Sequence, residues 1–133
     1  SRSICSCALE CSNHWSFIID RAWPDNIVYG RFFDRKISEK FYFEQMGYIK
    51  DRLTIVYVTA DTDSLESRMK TRVNDPATSE AYKEIYSRIS AQILYWHQVM
   101  SELEKLNFKI VHISNSNNRL DGAKSRLLSQ LDR

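Results

Sequence analysis

The chain has 133 residues, a length that suits one domain with one hydrophobic core. Its hydrophobic content of 43% and aromatic content of 12% are those of a globular protein and argue against disorder. The net charge of +2 is too small to indicate a nucleic acid polymer or an acidic membrane as the partner. No apolar run reaches membrane-spanning length and no signal-peptide pattern is present, so the sequence predicts a cytoplasmic protein.

The first segment predicts a helix over 3–14 and holds all three cysteines, Cys5, Cys7 and Cys11, with His14 just after them. The spacing C-x-C-x3-C-x2-H is not one that structural zinc sites commonly use. Cys7 and Cys11 lie one turn apart on the predicted helix, and Cys5 is turned away from them. We therefore interpret the three as reduced cysteines that pack as small hydrophobic residues.

A short apolar run at 16–20 ends in Asp20, and Arg21 follows it directly. Such a run predicts a buried parallel strand, and the functional groups of open α/β sheets gather beyond the carboxyl ends of their strands. An Asp–Arg pair suits phosphate and Mg²⁺ chemistry, because the carboxylate can hold the metal or its waters and the guanidinium can bind a phosphate. A helix predicted over 24–33 follows, with Pro24 in its first turn.

Helices and strands alternate through the rest of the chain. The predicted elements are helix 38–50, strand 53–59, helix 62–72, one long helix over 78–106, strand 108–113 and helix 119–132. Strands separated by helices imply parallel pairing, so the sequence predicts the α/β class with a parallel sheet in a three-layer α/β/α sandwich. Three strands are few for such a sheet, which fits a chain that lacks part of it.

The segment 17–30 resembles the Asp–Arg motif of thymidylate kinases and related P-loop nucleotide kinases, whose pattern is roughly hhhDRY-x-x-S-x-x-A-Y-Q. Asp20, Arg21 and Tyr29 match this pattern. The departures are Ala22, Asp25 and Gly30, which stand where the family has an aromatic residue, a serine and a glutamine. Because of these departures, a deoxynucleoside kinase or another nucleoside monophosphate kinase of the same superfamily is an alternative to a thymidylate kinase.

Later segments resemble the same family in the same order. They are 55–58, similar to its fourth strand; 64–72, similar to the helix that ends in the arginine-bearing lid; 82–100, similar to the long helix after the lid; and 108–113, similar to its last strand. The resemblance implies one partial nucleotide kinase domain over 1–133, with an acceptor region at 16–50 and a lid at about 68–80. It implies transfer of a phosphoryl group from ATP, with Mg²⁺, to a nucleoside monophosphate such as dTMP.

The Asp–Arg element supplies the predicted acceptor site. Asp20 would act on Mg²⁺, and Arg21 would bind the phosphate of the acceptor nucleotide through paired hydrogen bonds. Asn26 and Tyr29 lie one turn apart on the following helix and could face the base or sugar of the acceptor. The alternatives are a capping carboxylate at Asp20, a surface ion pair at Arg21 and core packing of the Tyr29 ring.

Arg68 and Arg72 lie four residues apart, on one face of a predicted helix that runs into a polar loop. Two guanidinium groups there could stabilise charge on the phosphoryl group in transfer. The alternative is a solvated basic face that also includes Lys70.

The sequence holds no Gly-x-x-x-x-Gly-Lys-Ser/Thr motif, and none of its three glycines precedes a lysine. The resemblance therefore implies that the family's first strand and Walker A loop are missing, and we expect very low kinase activity from the chain alone. A non-catalytic module that binds a nucleotide or a protein partner is the rival function. The helices 24–33 and 38–50 offer apolar surface for a possible homodimer.

Overall fold

The computed structural model describes residues 18–115 and 120–131. In the described residues, helices and strands follow one another in the order α1 (Trp23–Phe32), α2 (Glu39–Tyr48), a 3₁₀ turn (Lys50–Arg52), β1 (Thr54–Thr59), α3 (Thr62–Asn74), α4 (Glu80–Ser87), α5 (Ile89–Lys105), β2 (Lys109–Ser114) and α6 (Leu120–Leu131). β1 and β2 pair in parallel, which confirms a mixed α/β architecture. The predicted helix over 3–14, with its cysteines, lies outside the described residues.

None of these described helices is both long enough and apolar enough to cross a bilayer. The chain divides into two compact units. The first consists of Ser1–Thr54 and Gln92–Lys109, and the second consists of Ile55–Ala91 and Ile110–Arg133.

Three helices begin at a residue whose side chain caps them. The side chains of Ser38, Asp61 and Ser79 accept hydrogen bonds from the backbone N–H three residues on, at 3.3, 2.7 and 3.4 Å. Each bond satisfies one of the N–H groups that a helix start leaves without an intrahelical partner. Helix α1 instead begins beside Pro24, whose missing N–H and fixed φ suit the first helical turn.

The strand predicted over 16–20 is wrong in its described part. Ile18 to Asp20 form no strand, and the Ile18 side chain is 99% exposed instead of buried. An apolar run becomes a strand only where a neighbouring strand pairs with its backbone groups. The sheet of the described residues consists of β1 and β2, and neither pairs with Ile18–Asp20.

The single long helix predicted over 78–106 is also wrong, because it is interrupted at Arg88 between α4 and α5. The Ser87 hydroxyl donates to the Glu84 carbonyl at 2.7 Å. The Arg88 N–H reaches back only three residues, to the Ile85 carbonyl at 3.2 Å. Serine side chains that bond to the preceding turn compete with the helical ladder and bend it, and the apolar periodicity of the sequence does not reveal this.

The first unit has a large apolar core. Trp23 is 2% exposed, and its indole Nε1 donates to Gln45 Oε1 of α2 at 3.0 Å. Gly30 lets the following loop return closely onto α1: its carbonyl accepts from the Arg35 N–H at 2.8 Å, and the Ile37 side chain lies directly over its Cα. The other buried apolar residues of this unit are Ile27, Val28, Phe32, Met46, Ile49, Val99, Met100, Leu103 and Phe108.

The second unit has a much smaller core around the sheet. Val111 and Ile113 of β2 are buried against Ala123 of α6, with Leu127 packed beside them. These two strand residues alternate with exposed ones, as expected for a strand covered on one face. Helix α6 therefore covers one face of β2, and the carboxyl ends of both strands point toward the same edge of the sheet.

Candidate functional site

The carboxyl edge of the sheet is the place where an α/β fold collects functional groups. β1 ends at Thr59, and its carbonyl accepts from the Asn115 N–H at 2.7 Å, just past the end of β2. Asp61 follows β1 and caps α3 through the Ser64 N–H and the Ser64 hydroxyl, at 2.7 and 2.8 Å. The capped helix carries the predicted arginines, Arg68 and Arg72.

Two arginines from different helices bind consecutive backbone carbonyls at this edge. Arg68 Nη2 on α3 donates to the Asn115 carbonyl at 3.0 Å. Arg126 Nη2 on α6 donates to the Ser114 carbonyl at 2.7 Å. A guanidinium has five N–H donors, so each group keeps several donors beyond the bond it makes here. The two carbonyls fix the guanidinium groups at the edge of the sheet.

Arg126 has no motif around it, and only the structure identifies it. Gly122 lies one turn before it, and a Cβ at that glycine would stand 3.3 Å from Arg126 Nη1. The missing side chain leaves the guanidinium room to lie back along α6 toward β2. A glycine four residues before an arginine is the one sequence signal for this arrangement, and it is too common to have been read without the fold.

Arg72, one turn beyond Arg68, reaches α4 instead. Its Nη1 donates to the Tyr86 hydroxyl at 3.2 Å, and its Cζ lies 5.5 Å from the centre of the Tyr86 ring. The Tyr82 ring stacks on the Tyr86 ring, with centroids 6.1 Å apart and planes at 25°. Arginine and two tyrosines thus form one continuous surface between α3 and α4.

A shallow, open groove of about 420 Å³ runs along α3. Its lining residues are Leu65, Arg68, Met69, Thr71 and Arg72. Arg68, Arg72 and Arg126 are all exposed, and none forms an ion pair with a carboxylate in the part of the chain that the structure describes. Their positive charges are therefore available to an anion from solution.

The Asp–Arg element lies in the first unit, at the start of α1. Asp20 and Arg21 are exposed, and Arg21 has a φ of 61°, a left-handed conformation that non-glycine residues adopt uncommonly. Burial raises the pKa of the nearby Asp25 carboxyl above its ordinary value; the Arg21 charge opposes that rise and the Asp20 charge adds to it. Asp20, Arg21 and Asp25 thus share one electrostatic environment.

The same environment fits the chemistry of a magnesium site in part. Mg²⁺ in phosphoryl-transfer sites is commonly held by one or two carboxylates, water and the phosphates themselves. Asp20 offers one exposed carboxylate, whereas burial raises the pKa of the Asp25 carboxyl and so disfavours its charged form. In the described ranges no group of three or more histidines, cysteines, aspartates or glutamates forms a cage for a metal ion.

The two side chains predicted to contact an acceptor are engaged within the first unit. Asn26 Nδ2 donates to the Ala22 carbonyl at 3.3 Å. The Tyr29 hydroxyl donates to Gln92 Oε1 at 3.3 Å, and its ring meets the edge of the Trp96 ring at 6.5 Å and 89°. These contacts favour a packing role for Tyr29, and the role of both residues in substrate binding stays a prediction.

Comparison of the chain with protein-family models, with curated proteins and with solved structures gives no significant match. The resemblance to thymidylate kinases therefore depends on the residues and their order alone. In the second unit Arg68 and Arg72 line one groove along α3, and Arg126 binds the backbone carbonyl next to the one that Arg68 binds. Asp20, Arg21, Asn26 and Tyr29 belong to the first unit.

Proposed function

We propose that the second unit binds the phosphate group of a nucleotide. The observation that carries this proposal is the pair Arg68 and Arg72, exposed on one face of α3 beside the carboxyl edge of a parallel sheet and free of carboxylate partners among the described residues. Guanidinium groups match the geometry of phosphate oxygens and keep their charge at any physiological pH. The open groove next to them leaves room for the rest of the ligand.

The reaction we propose for the complete protein is transfer of the ATP γ-phosphoryl group to a nucleoside monophosphate such as dTMP, in the cytoplasm. ATP with Mg²⁺ supplies the phosphoryl group, and Asp20 is the residue that would hold the metal. Arg21 would bind the acceptor phosphate, while Asn26 and Tyr29 would border the acceptor. Arg68 and Arg72 would neutralise charge on the transferred group.

The finer architecture belongs to the same proposal. A three-layer α/β/α sandwich of the P-loop kinase type would require strands in addition to β1 and β2. The two parallel strands and the helix α6 packed on one of their faces are compatible with part of such a sandwich. A homodimer through α1 and α2 stays a prediction.

A nucleotide-binding module without transfer is the second candidate. The observation that favours it is the absence of a phosphate-binding glycine loop from the 133-residue sequence. Phosphoryl transfer requires the donor phosphates to be held in line with the acceptor, which backbone amides and the lysine of that loop provide. Arginines alone can bind a phosphate without placing it for transfer.

Calorimetric titration of the chain with ATP–Mg²⁺ and with a panel of nucleoside monophosphates tests phosphate binding. We expect at least one nucleotide to bind, and the double variant Arg68→Gln/Arg72→Gln to weaken that binding at least tenfold. Lys70→Gln is the matched control, because it removes one positive charge from an exposed position of the same helix. Unchanged affinity in the double variant, or equal losses in the double variant and the control, would contradict the proposal.

Production of ADP from ATP and each monophosphate then separates the two candidates. Turnover that the substitution Asp20→Ala abolishes favours the kinase, with Asp20 at the metal. Binding without turnover favours the module. Both outcomes are compatible with phosphate binding by Arg68 and Arg72. The assay therefore distinguishes the kinase from the binding module, and the calorimetric titration tests the phosphate site.

A further inference from the structure

Tyr82 presents an aromatic ring to solvent at the beginning of α4. The side chain is 58% exposed, although an aromatic ring of this size usually gains stability from burial. Its position is nevertheless defined, because it stacks on Tyr86 at 6.1 Å, and Tyr86 is held by the hydroxyl contact to Arg72. The molecule thus fixes a ring in place and leaves most of it uncovered.

The exposed ring continues the arginine groove described above. Arg72 lines the groove along α3, and it also lies over the Tyr86 ring on which Tyr82 stacks. The contact distances of 5.5 and 6.1 Å connect the guanidinium to the Tyr82 ring through a single intervening ring. A ligand with an anionic end and a flat aromatic end joined by a linker could contact both.

We propose that Tyr82 is the stacking platform for the base of a nucleoside phosphate whose phosphate group is bound by Arg68 and Arg72. The inference rests on the proposed function, since the same arginines hold the phosphate. Every nucleobase has an aromatic face, and proteins bind single bases by stacking them on exposed aromatic side chains. Tyr86 acts as a positioning residue that holds Tyr82 in place and links it to Arg72.

Stacking is the recognition that the Tyr82 ring offers to a base. The Thr71 hydroxyl in the groove donates to the Ser67 carbonyl at 3.1 Å, and Arg72 Nη1 donates to the Tyr86 hydroxyl. The base is therefore held by its face, which accepts purines and pyrimidines alike. The ligand class is a mononucleotide with a free terminal phosphate.

Calorimetric titration of the full chain with AMP, with ribose 5-phosphate and with adenosine tests the platform. We expect AMP to bind about 5- to 150-fold more tightly than ribose 5-phosphate, the factor that corresponds to one stacked base. Tyr82→Ala should reduce the affinity for AMP to that for ribose 5-phosphate and leave the latter unchanged. Tyr82→Phe keeps the ring and should bind AMP as the unaltered chain does.

Tyr48→Ala is the matched control, because Tyr48 is an exposed tyrosine at the end of α2 in the first unit. Equal affinities for AMP and ribose 5-phosphate, or full affinity for AMP in Tyr82→Ala, would overturn the platform. Phosphate binding that still depends on Arg68 and Arg72 would then leave the proposed function standing. If neither phosphate binds the unaltered chain, the proposed function fails, and the platform fails with it.

Discussion

Arginines in the two units have opposite surroundings. Arg31, in the first unit, donates to both carboxylate oxygens of Glu39 at 3.0 and 2.8 Å and to Glu102 at 2.8 Å. It joins α1, α2 and α5, and these hydrogen bonds raise its pKa above the usual value. Arg68 and Arg126 of the second unit bind backbone carbonyls, which carry no net charge.

This difference indicates which arginines serve the fold and which are available to a ligand. A guanidinium with two carboxylate partners has its charge compensated, and an added phosphate would be repelled by those carboxylates. A guanidinium oriented by carbonyls is positioned and still carries an uncompensated charge. The hydrophobic cores of the two units also differ in size. Ten of the thirteen buried apolar residues in the described chain lie in the first unit.

The largest effect should come from removing a core side chain of the first unit. Leu103 is fully buried, and Leu103→Ala should lower the free energy of unfolding by about 2–5 kcal/mol, through lost burial and the cavity left behind. Leu128→Ala, at an exposed position of α6, should change it by less than about 0.5 kcal/mol. Urea denaturation measures both, and equal losses would contradict the burial of Leu103 in the core of the first unit.

Two glycines provide the next contrast. In Gly30→Ala the new Cβ would stand 2.9 Å from Ile37 Cγ1 and closer still to Cδ1, and rotation of the Ile37 tip alone does not relieve the first contact. We expect a loss of about 1–3 kcal/mol in the free energy of unfolding. In Gly122→Ala the neighbour is only the flexible end of Arg126, so no loss is expected.

Gly47→Ala is the control for this pair, since no atom lies within 4 Å of the added Cβ in α2. Alanine favours a helix over glycine by up to about 1 kcal/mol, so this variant should be as stable as the unaltered chain or more stable. Thermal unfolding followed by circular dichroism compares the three variants. Destabilisation by Gly122→Ala as large as that by Gly30→Ala would remove the contrast.

The sequence predicts the elements of the second unit well, because local signals define them. Neighbouring residues are enough to indicate the capping side chains of Asp61 and Ser79 and the β-branched run of β1. Helical spacing is enough to place Arg68 and Arg72 on one face of a helix. The role of Arg126 could not be predicted from such local signals, because it depends on α6 packing against β2. The interruption at Arg88 was also missed, since a serine that bonds to the previous turn leaves the apolar pattern intact.

The prediction errors in the first unit have a different origin. The apolar run before Asp20 resembles a buried strand in composition, but a strand exists only together with the strand that pairs with it. Tyr29 matches a family motif by its position, whereas its contacts with Gln92 and Trp96 are those of a packed residue. The motif match therefore gives Tyr29 a position and not a role, and the phosphate chemistry predicted at this element stays a prediction.

Replacing Arg31 and Arg68 one at a time tests their separate roles. Arg31→Gln leaves Glu39 and Glu102 without their shared partner and should lower the free energy of unfolding by roughly 1–2 kcal/mol, the value for partly exposed charge-assisted bonds. Arg68→Gln should change it by less than about 0.5 kcal/mol. Chemical denaturation measures this, and a larger loss in Arg68→Gln than in Arg31→Gln would show that the second unit uses its arginine for stability.

The smallest effect is a pH dependence of stability in the first unit. The hydrogen bonds from Arg31 hold the pKa of Glu39 below its ordinary value of 4.5. The folded state therefore binds the Glu39 proton less tightly than the unfolded chain does, and the stabilisation is complete above pH 4.5 and is lost as the pH falls through the folded pKa. We expect the stability difference between the unaltered chain and Arg31→Gln to shrink in that acidic range. Glu39→Gln removes the titrating carboxylate, so stability in that variant should fall less steeply with acid; an unchanged slope would assign the acid dependence to other carboxylates.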